Sequence, residues 1–177
     1  RSRRQRQMCI RDRTLTKHFI EKNNVTLADI DENALEYAKK NYQIQILKVD
    51  LNQSFPVLDN SFDVVVMAEV LEHLPYPNIT LSEIKRILKT DGEFIGNLPL
   101  AYHLKDRWQI IRGRKLLISG DPTHLQFLSF EDAKKLMSNF FNIKEISILK
   151  GGKLSNKFPK VFARNIAFRC VNKIQSN

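Results

Sequence analysis

The chain is poor in glycine. It has six in 177 residues, and none stands upstream of the short apolar run Val25–Ala28 and the acid that ends it, Asp29. A nucleotide-binding strand, loop and helix needs several glycines there, so that backbone can approach a phosphate. The upstream chain reads RSRRQRQMCIRDR instead. Cysteine is nearly absent: Cys9 and Cys170, at opposite ends, give neither a disulfide framework nor a CxxC metal knuckle. A reduced, cytoplasmic setting is the expectation. Long apolar runs are missing too. The longest, Val64–Ala68, is pinned between Asp63 and Glu69, far short of the roughly 20 residues that span a bilayer. No apolar h-region follows the Arg-rich beginning, so a signal peptide is not expected.

What is present is an ordinary globular composition, 42% hydrophobic and 27% charged, in a length that suits one domain. The net charge of +10 is uneven. Residues 1–13 carry +5 and residues 150–177 carry +7 with no acid, which leaves −2 for the body. A near-neutral body argues against a nucleic-acid partner, which asks for a basic face on the folded domain. The basic C-terminal stretch leaves peripheral contact with anionic lipid open.

Periodicity and turn residues order the chain. Residues 14–22 read as a helix with Leu15, Phe19 and Ile20 inward. Val25–Asp29 is a strand, Asp31 caps a helix through Lys40, and Ile44–Val49 is a second strand. FPVLDNS is loop, and FDVVVMAE is a strand buried on both faces. Asn78–Lys89 is an amphipathic helix ended by Asp91-Gly92, and Glu93–Leu98 is the next strand. Ser129 and Asp132 resemble a capping box opening a helix. Asn142–Leu149 and Val161–Val171 are two last strands with no helix between them. Alternation from residue 14 to about 98 predicts an α/β fold, a doubly wound, mostly parallel sheet with an antiparallel C-terminal hairpin. Residues 102–120, YHLKDRWQIIRGRKLLISG, interrupt the pattern as a lid or substrate insertion, or as a helix on the sheet edge.

Ligands of such sheets bind beyond the C-terminal strand ends. Those ends are Asp29-Ile30, Asp50-Leu51, Ala68-Glu69 and Asn97-Leu98-Pro99, and three carry an acid. A carboxylate there can accept two hydrogen bonds from a ribose diol. Asp31 directly precedes its helix and is the better cap, which leaves Asp29 for a ligand. Asp50 reads equally as a turn aspartate before Asn52-Gln53.

The runs VTLADIDENALEYAKKN, VDLNQSFPVLDNSFDVVVMAEVLEHL and LSEIKRILKTDGEFIGNLP, in this order and spacing, resemble the class I S-adenosylmethionine-dependent methyltransferases. The resemblance covers residues 14 to about 100 and implies a Rossmann-like fold. It implies that Asp29 holds the ribose hydroxyls, Ile30 lies beside the adenine, and Asp50 meets the adenine amino group near the Leu51 amide. Ala68 and Glu69 then pass under the methionine part of S-adenosyl-L-methionine. It also implies a first strand and a glycine-rich loop just before Thr14. On this reading both are missing, residues 1–13 are a non-native or disordered basic segment resembling adapter read-through, and 14–177 is an N-terminally truncated methyltransferase domain, weak or inactive as it stands.

In EVLEH, residues Glu69, Glu72 and His73 share a face if the segment is helical. With the distant His124 of THLQF, the set resembles ubiquinone-pathway O-methyltransferases and small-RNA 2′-O-methyltransferases. That resemblance implies a divalent metal held by Glu69, Glu72, His73 and His124. Without a metal, His73 or His124 is the candidate general base. The expected reaction is methyl transfer to an oxygen of a small molecule or lipid precursor. Two alternatives stand beside it: a nicotinamide-dinucleotide-binding protein, permitted by Asp29, and a non-catalytic binding protein.

Overall fold

A computed structural model of the chain describes residues 6–10 (backbone only), 20–116, 121–149 and 151–172. Its first strand is β1, Arg6–Ile10, followed by β2, Asn24–Asp29, helix α1, Glu32–Tyr42, and β3, Gln45–Lys48. Next come β4, Phe62–Ala68, a single 3-10 turn, Leu71–His73, helix α2, Pro77–Ile87, and β5, Leu88–Pro99. The remainder is α3, Leu104–Ile111, α4, Phe130–Phe140, β6, Phe141–Ile148, two short helices α5, Lys153–Lys157, and α6, Pro159–Phe162, and β7, Asn165–Asn172. The strands form one sheet in the order β3-β2-β1-β4-β5-β7-β6. β1 to β5 are parallel, and β7 runs antiparallel to both β5 and β6. This is the mixed, mostly parallel α/β sheet with an antiparallel hairpin that the alternation predicts.

Local chemistry explains the elements. Asp31 caps α1 by accepting from the Asn33 amide at 2.9 Å, and Gln43 ends it in the left-handed region. Pro77 opens α2, whose Thr80, Leu81, Ile84 and Ile87 are buried. Ser129 and Asp132 form a reciprocal capping box on α4. The apolar run of β4 is buried on both faces, as its continuity predicts: Val64 and Val66 pack with Leu35 and Ala38 of α1, while Val65 and Met67 pack with Leu81 and Ile84 of α2. Gly96 lies where β5 presses on its neighbours. A Cβ there would sit 2.2 Å from the Met67 carbonyl oxygen and 2.7 Å from the Phe168 ring.

Four expectations need correction. The first strand is not missing: the backbone of Arg6–Ile10 fills the centre of the sheet, pairing with β2 on one side and β4 on the other. A slot between two strands offers unpaired N–H and C=O groups on both sides, and main chain of almost any sequence can satisfy them. The expected helix 14–22 lies mostly outside the described residues, and Ile20–Lys22 form a turn whose Ile20 packs on the α1 side of the core. Asp91-Gly92 does not end α2. The strand resumes at Leu88, and Lys89–Gly92 are a register irregularity inside β5, with Asp91 at φ 61°. Finally, the link between β6 and β7 holds α5 and α6, helices of five and four residues, too short to show a period.

Candidate functional site

Parallel strands put their C-terminal ends along one edge, and the acids collect there. Asp29 ends β2. Its Oδ1 accepts from the Asp31 amide at 3.1 Å, and its Oδ2 has no partner among the described residues. The Val49 amide donates to the Asp29 carbonyl at 3.0 Å, which ties the end of β3 to the end of β2. Asp50 follows β3 in a tight polar turn. It accepts from the Asn52 amide at 2.9 Å and from the Gln53 side chain at 2.9 Å, and the Asn52 amide is the main reason its carboxyl is held below the usual range. Asp50 is thus a turn aspartate in its hydrogen bonds while its position remains at the strand end. Thr80 of α2 donates to the Leu51 carbonyl at 2.7 Å and fixes the turn from below.

Asp29, Ile30, Asp50 and Leu51 line one cleft of about 440 Å³, together with Val70 and His73. A larger cavity of about 690 Å³ opens at the other end of the strands, between Asn24 and Phe62. It is lined by amides, hydroxyls and apolar groups with no ionisable side chain, whereas the smaller cleft gathers the strand-end acids and His73. Ala68 and Glu69 do not line that smaller cleft. Glu69 stands at φ 52°, its amide donates to the Asn97 carbonyl at 3.2 Å, and its carboxylate accepts from Asn97 at 3.4 Å and Asn165 at 3.3 Å. EVLEH is therefore not one helical face. The positive φ at the strand end turns Glu69 toward β5 and β7, and only Leu71–His73 coil.

Glu72 and His73 meet His124 across 50 residues of chain. The Glu72 carbonyl accepts from the Leu125 amide at 2.7 Å and the Gln126 amide at 2.9 Å, docking that segment on the turn. The His73 and His124 rings then lie 4.8 Å apart between centroids. Ligand-capable atoms of Glu72, His73 and His124 all fall within 4.8 Å of one another. Glu69 is not part of this group. Glu72 is 3% exposed, and its Oε2 is buried with no partner. Burial, chiefly, pushes its carboxyl above the ordinary range, and the two histidines pull the other way.

Two residues that sequence reasoning missed orient His73. Its Nδ1 lies 3.1 Å from the Thr123 carbonyl oxygen and 3.0 Å from Thr123 Oγ1. A carbonyl only accepts, so Nδ1 carries the proton, and in the neutral ring the lone pair is on Nε2. Thr123 Oγ1 in turn donates to Asp121 at 2.6 Å, the main reason that carboxyl sits below its usual range. Such an outer hydrogen-bond chain fixes tautomer and orientation of a ligand or a base. The only signal in the sequence is the turn tetrad DPTH itself.

Residues 12–96 match the family described as "Methyltransferase domain". A ubiquinone/menaquinone biosynthesis C-methyltransferase of Bartonella bacilliformis is 31% identical over 121 residues, which are 60% of this chain and 46% of that protein. The chain therefore spans about half the length of this curated relative. A methyltransferase structure from Bacillus halodurans superposes with a TM-score of 0.76 at 15% identity, covering 97% of this chain and 94% of the other. An S-adenosylmethionine-dependent methyltransferase from Methanosarcina mazei gives 0.71 at 14% identity, with 97% and 94% covered. Over residues 12–96 the chain carries a class I methyltransferase domain. The resemblance read from its three motifs stands on the family match, and the structural likenesses give the same fold. No described helix of this methyltransferase domain is long and apolar enough to cross a membrane.

Proposed function

We propose that this chain binds S-adenosylmethionine in the cleft between Asp29 and Asp50 and transfers its methyl group to an oxygen of a small molecule or lipid precursor. The observation that carries the reading is the shared cleft: two strand-end carboxylates, one with a free oxygen, open on the same space as His73. Asp29 accepts the ribose hydroxyls, Ile30 covers the adenine, and the Asp50–Leu51 turn meets its amino edge. Ala68 and Glu69, outside the cleft walls, hold the strand end that carries the methionine part.

Glu72, His73 and His124 form a donor set of one carboxylate and two imidazoles, suited to Zn, Mn or Fe(II). The orphan buried Oε2 of Glu72 fits such an ion, because a buried carboxylate without a partner is costly and a cation relieves it. A bound ion lowers the pKa of an acceptor hydroxyl. The residues' own part is to hold the acceptor in line with the methyl group; without an ion, His73 Nε2 or His124 takes its proton. Carbon as acceptor is the second reading, favoured by the name of the Bartonella relative.

Calorimetric titration of S-adenosylhomocysteine tests the cofactor assignment. Binding is expected, and Asp29→Ala should weaken it about thirtyfold or more through lost charge-assisted hydrogen bonds. Stabilisation by NADH instead, or an Asp29→Ala variant that binds as well as the native chain, would sink the assignment. Carbon-13 shifts of a transferred labelled methyl separate oxygen from carbon acceptors.

A further inference from the structure

Helix α3 is amphipathic with its faces reversed. Leu104, Trp108 and Ile111 recur at i, i+4 and i+7 and so form one stripe. They are 48%, 58% and 75% exposed. Asp106, two residues from both Leu104 and Trp108 and so on the far side of the helix, is only 3% exposed, and it closes the capping box with His103. A helix that turns a carboxylate inward and an apolar stripe outward is not organised around this domain's core alone. Along this segment the exposed charge has one sign. From Tyr102 to Leu116 the exposed charged residues are Lys105, Arg107, Arg112, Arg114 and Lys115, with no exposed acid.

The neighbouring link repeats the pattern. In α5 and the residue after it, Leu154 and Phe158 are 58% and 47% exposed beside Lys153 and Lys157. Arg107 donates to the Lys160 carbonyl at 3.0 Å, and the His103 and Phe162 rings stand 6.4 Å apart, so this link lies against α3.

We propose that α3, with the adjoining α5–α6 link, seats this protein on an anionic lipid surface. Leu104, Trp108 and Ile111 enter the acyl boundary, and the bases beside them contact negative headgroups. Exposed apolar side chains flanked by Lys and Arg, with tryptophan at the boundary, are what an interfacial helix requires. A protein partner fits less well, because protein interfaces are depleted of lysine and this patch is rimmed with it. The surface is separate from the cleft residues, and the proposal stands whether or not methyl transfer is the activity.

Trp108 is the only tryptophan in the chain, which makes it the reporter. The full chain is mixed with vesicles of phosphatidylcholine alone, or of phosphatidylcholine and phosphatidylglycerol. With the anionic vesicles Trp108 emission should shift to the blue and be quenched by brominated acyl chains, and with the neutral ones it should not. Ile111→Gln should weaken partitioning about tenfold. The double variant Arg112→Glu and Arg114→Glu should weaken it about thirtyfold, with an unchanged circular dichroism spectrum. Four results overturn the proposal: no shift with either vesicle; equal shifts with both that ignore the charge reversals; binding in which Trp108 stays accessible to aqueous quencher; or a blue shift without lipid, produced by raised protein concentration or by S-adenosylhomocysteine. The last would make the stripe a self-association surface or a lid.

Discussion

Two glutamates eleven positions apart meet opposite fates. Glu83, on α2, has every need met. Its carboxylate accepts from the Phe55 amide at 2.7 Å, from Ser54 at 3.1 Å and from Arg86 at 2.7 Å, and it is held near pKa 2, chiefly by the Arg86 hydrogen bonds. Arg86 also donates to the Phe55 carbonyl at 3.0 Å, the Val57 carbonyl at 2.7 Å and Asp59 at 2.6 Å. This pair braces the loop that leaves the Asp50 turn. Glu72 is buried more deeply with one oxygen unpartnered, and its carboxyl is pushed up by that burial. A charge in a balanced network holds structure. A charge buried among imidazoles with an open acceptor costs stability until a cation or proton arrives, which is how binding sites differ from braces.

The largest expected effect breaks the balanced side. Arg86→Ala leaves Glu83 partly buried without its cation and frees the 55–59 loop, and it should cost about 3 kcal/mol by urea denaturation. A loss below a few tenths would show that the brace carries no weight. Glu83→Gln keeps part of the hydrogen bonding and should cost about 2 kcal/mol at neutral pH. It also carries a pH signature. Glu83 titrates near 2 when folded against its ordinary 4.5, so its contribution is complete above about pH 4.5 and is lost as pH falls toward 2. The variant should lack that portion of the acid limb.

Glu72→Gln should act with the opposite sign. The folded protein holds the Glu72 proton above the ordinary 4.5, so native stability declines as pH rises from 4.5 through the raised folded value. Removing the charge should then gain about 1 kcal/mol at neutral pH. A loss instead would mean that Glu72 is as well compensated as Glu83. The smallest effect sharpens the contrast: micromolar Mn or Zn ions should raise the native melting temperature by about 2–4 °C and leave Glu72→Gln unmoved.

How legible these features were depends on how local their causes are. The division of labour between Asp29 and Asp31 follows from cap chemistry over three residues, and the structure shows Asp31 as the cap. The capping box at Ser129 and the two-sided burial of β4 are equally local. Glu69 shares a face with Glu72 and His73 only if the segment is helical, and its positive φ, which spacing does not reveal, breaks that condition. β1 was missed because a central slot is filled by main-chain pairing, to which side-chain pattern is a poor guide. The meeting of His73 with His124, and the part of Thr123 and Asp121 beneath it, depends on amides docking on the Glu72 carbonyl, a contact that no periodicity records.

The position of β7 has a consequence for how this molecule is made. It lies between β5 and β6, although it follows both in the chain. Until residues 165–172 emerge, β5 and β6 have no partner on that side, and two backbone edges stay open beside the aromatic cluster of Phe94, Phe141 and Phe168. Likewise β1 waits for β4, more than 50 residues later, to be enclosed. Folding must therefore be dominated by late, long-range pairing, with the nascent chain exposed to aggregation until β7 is inserted.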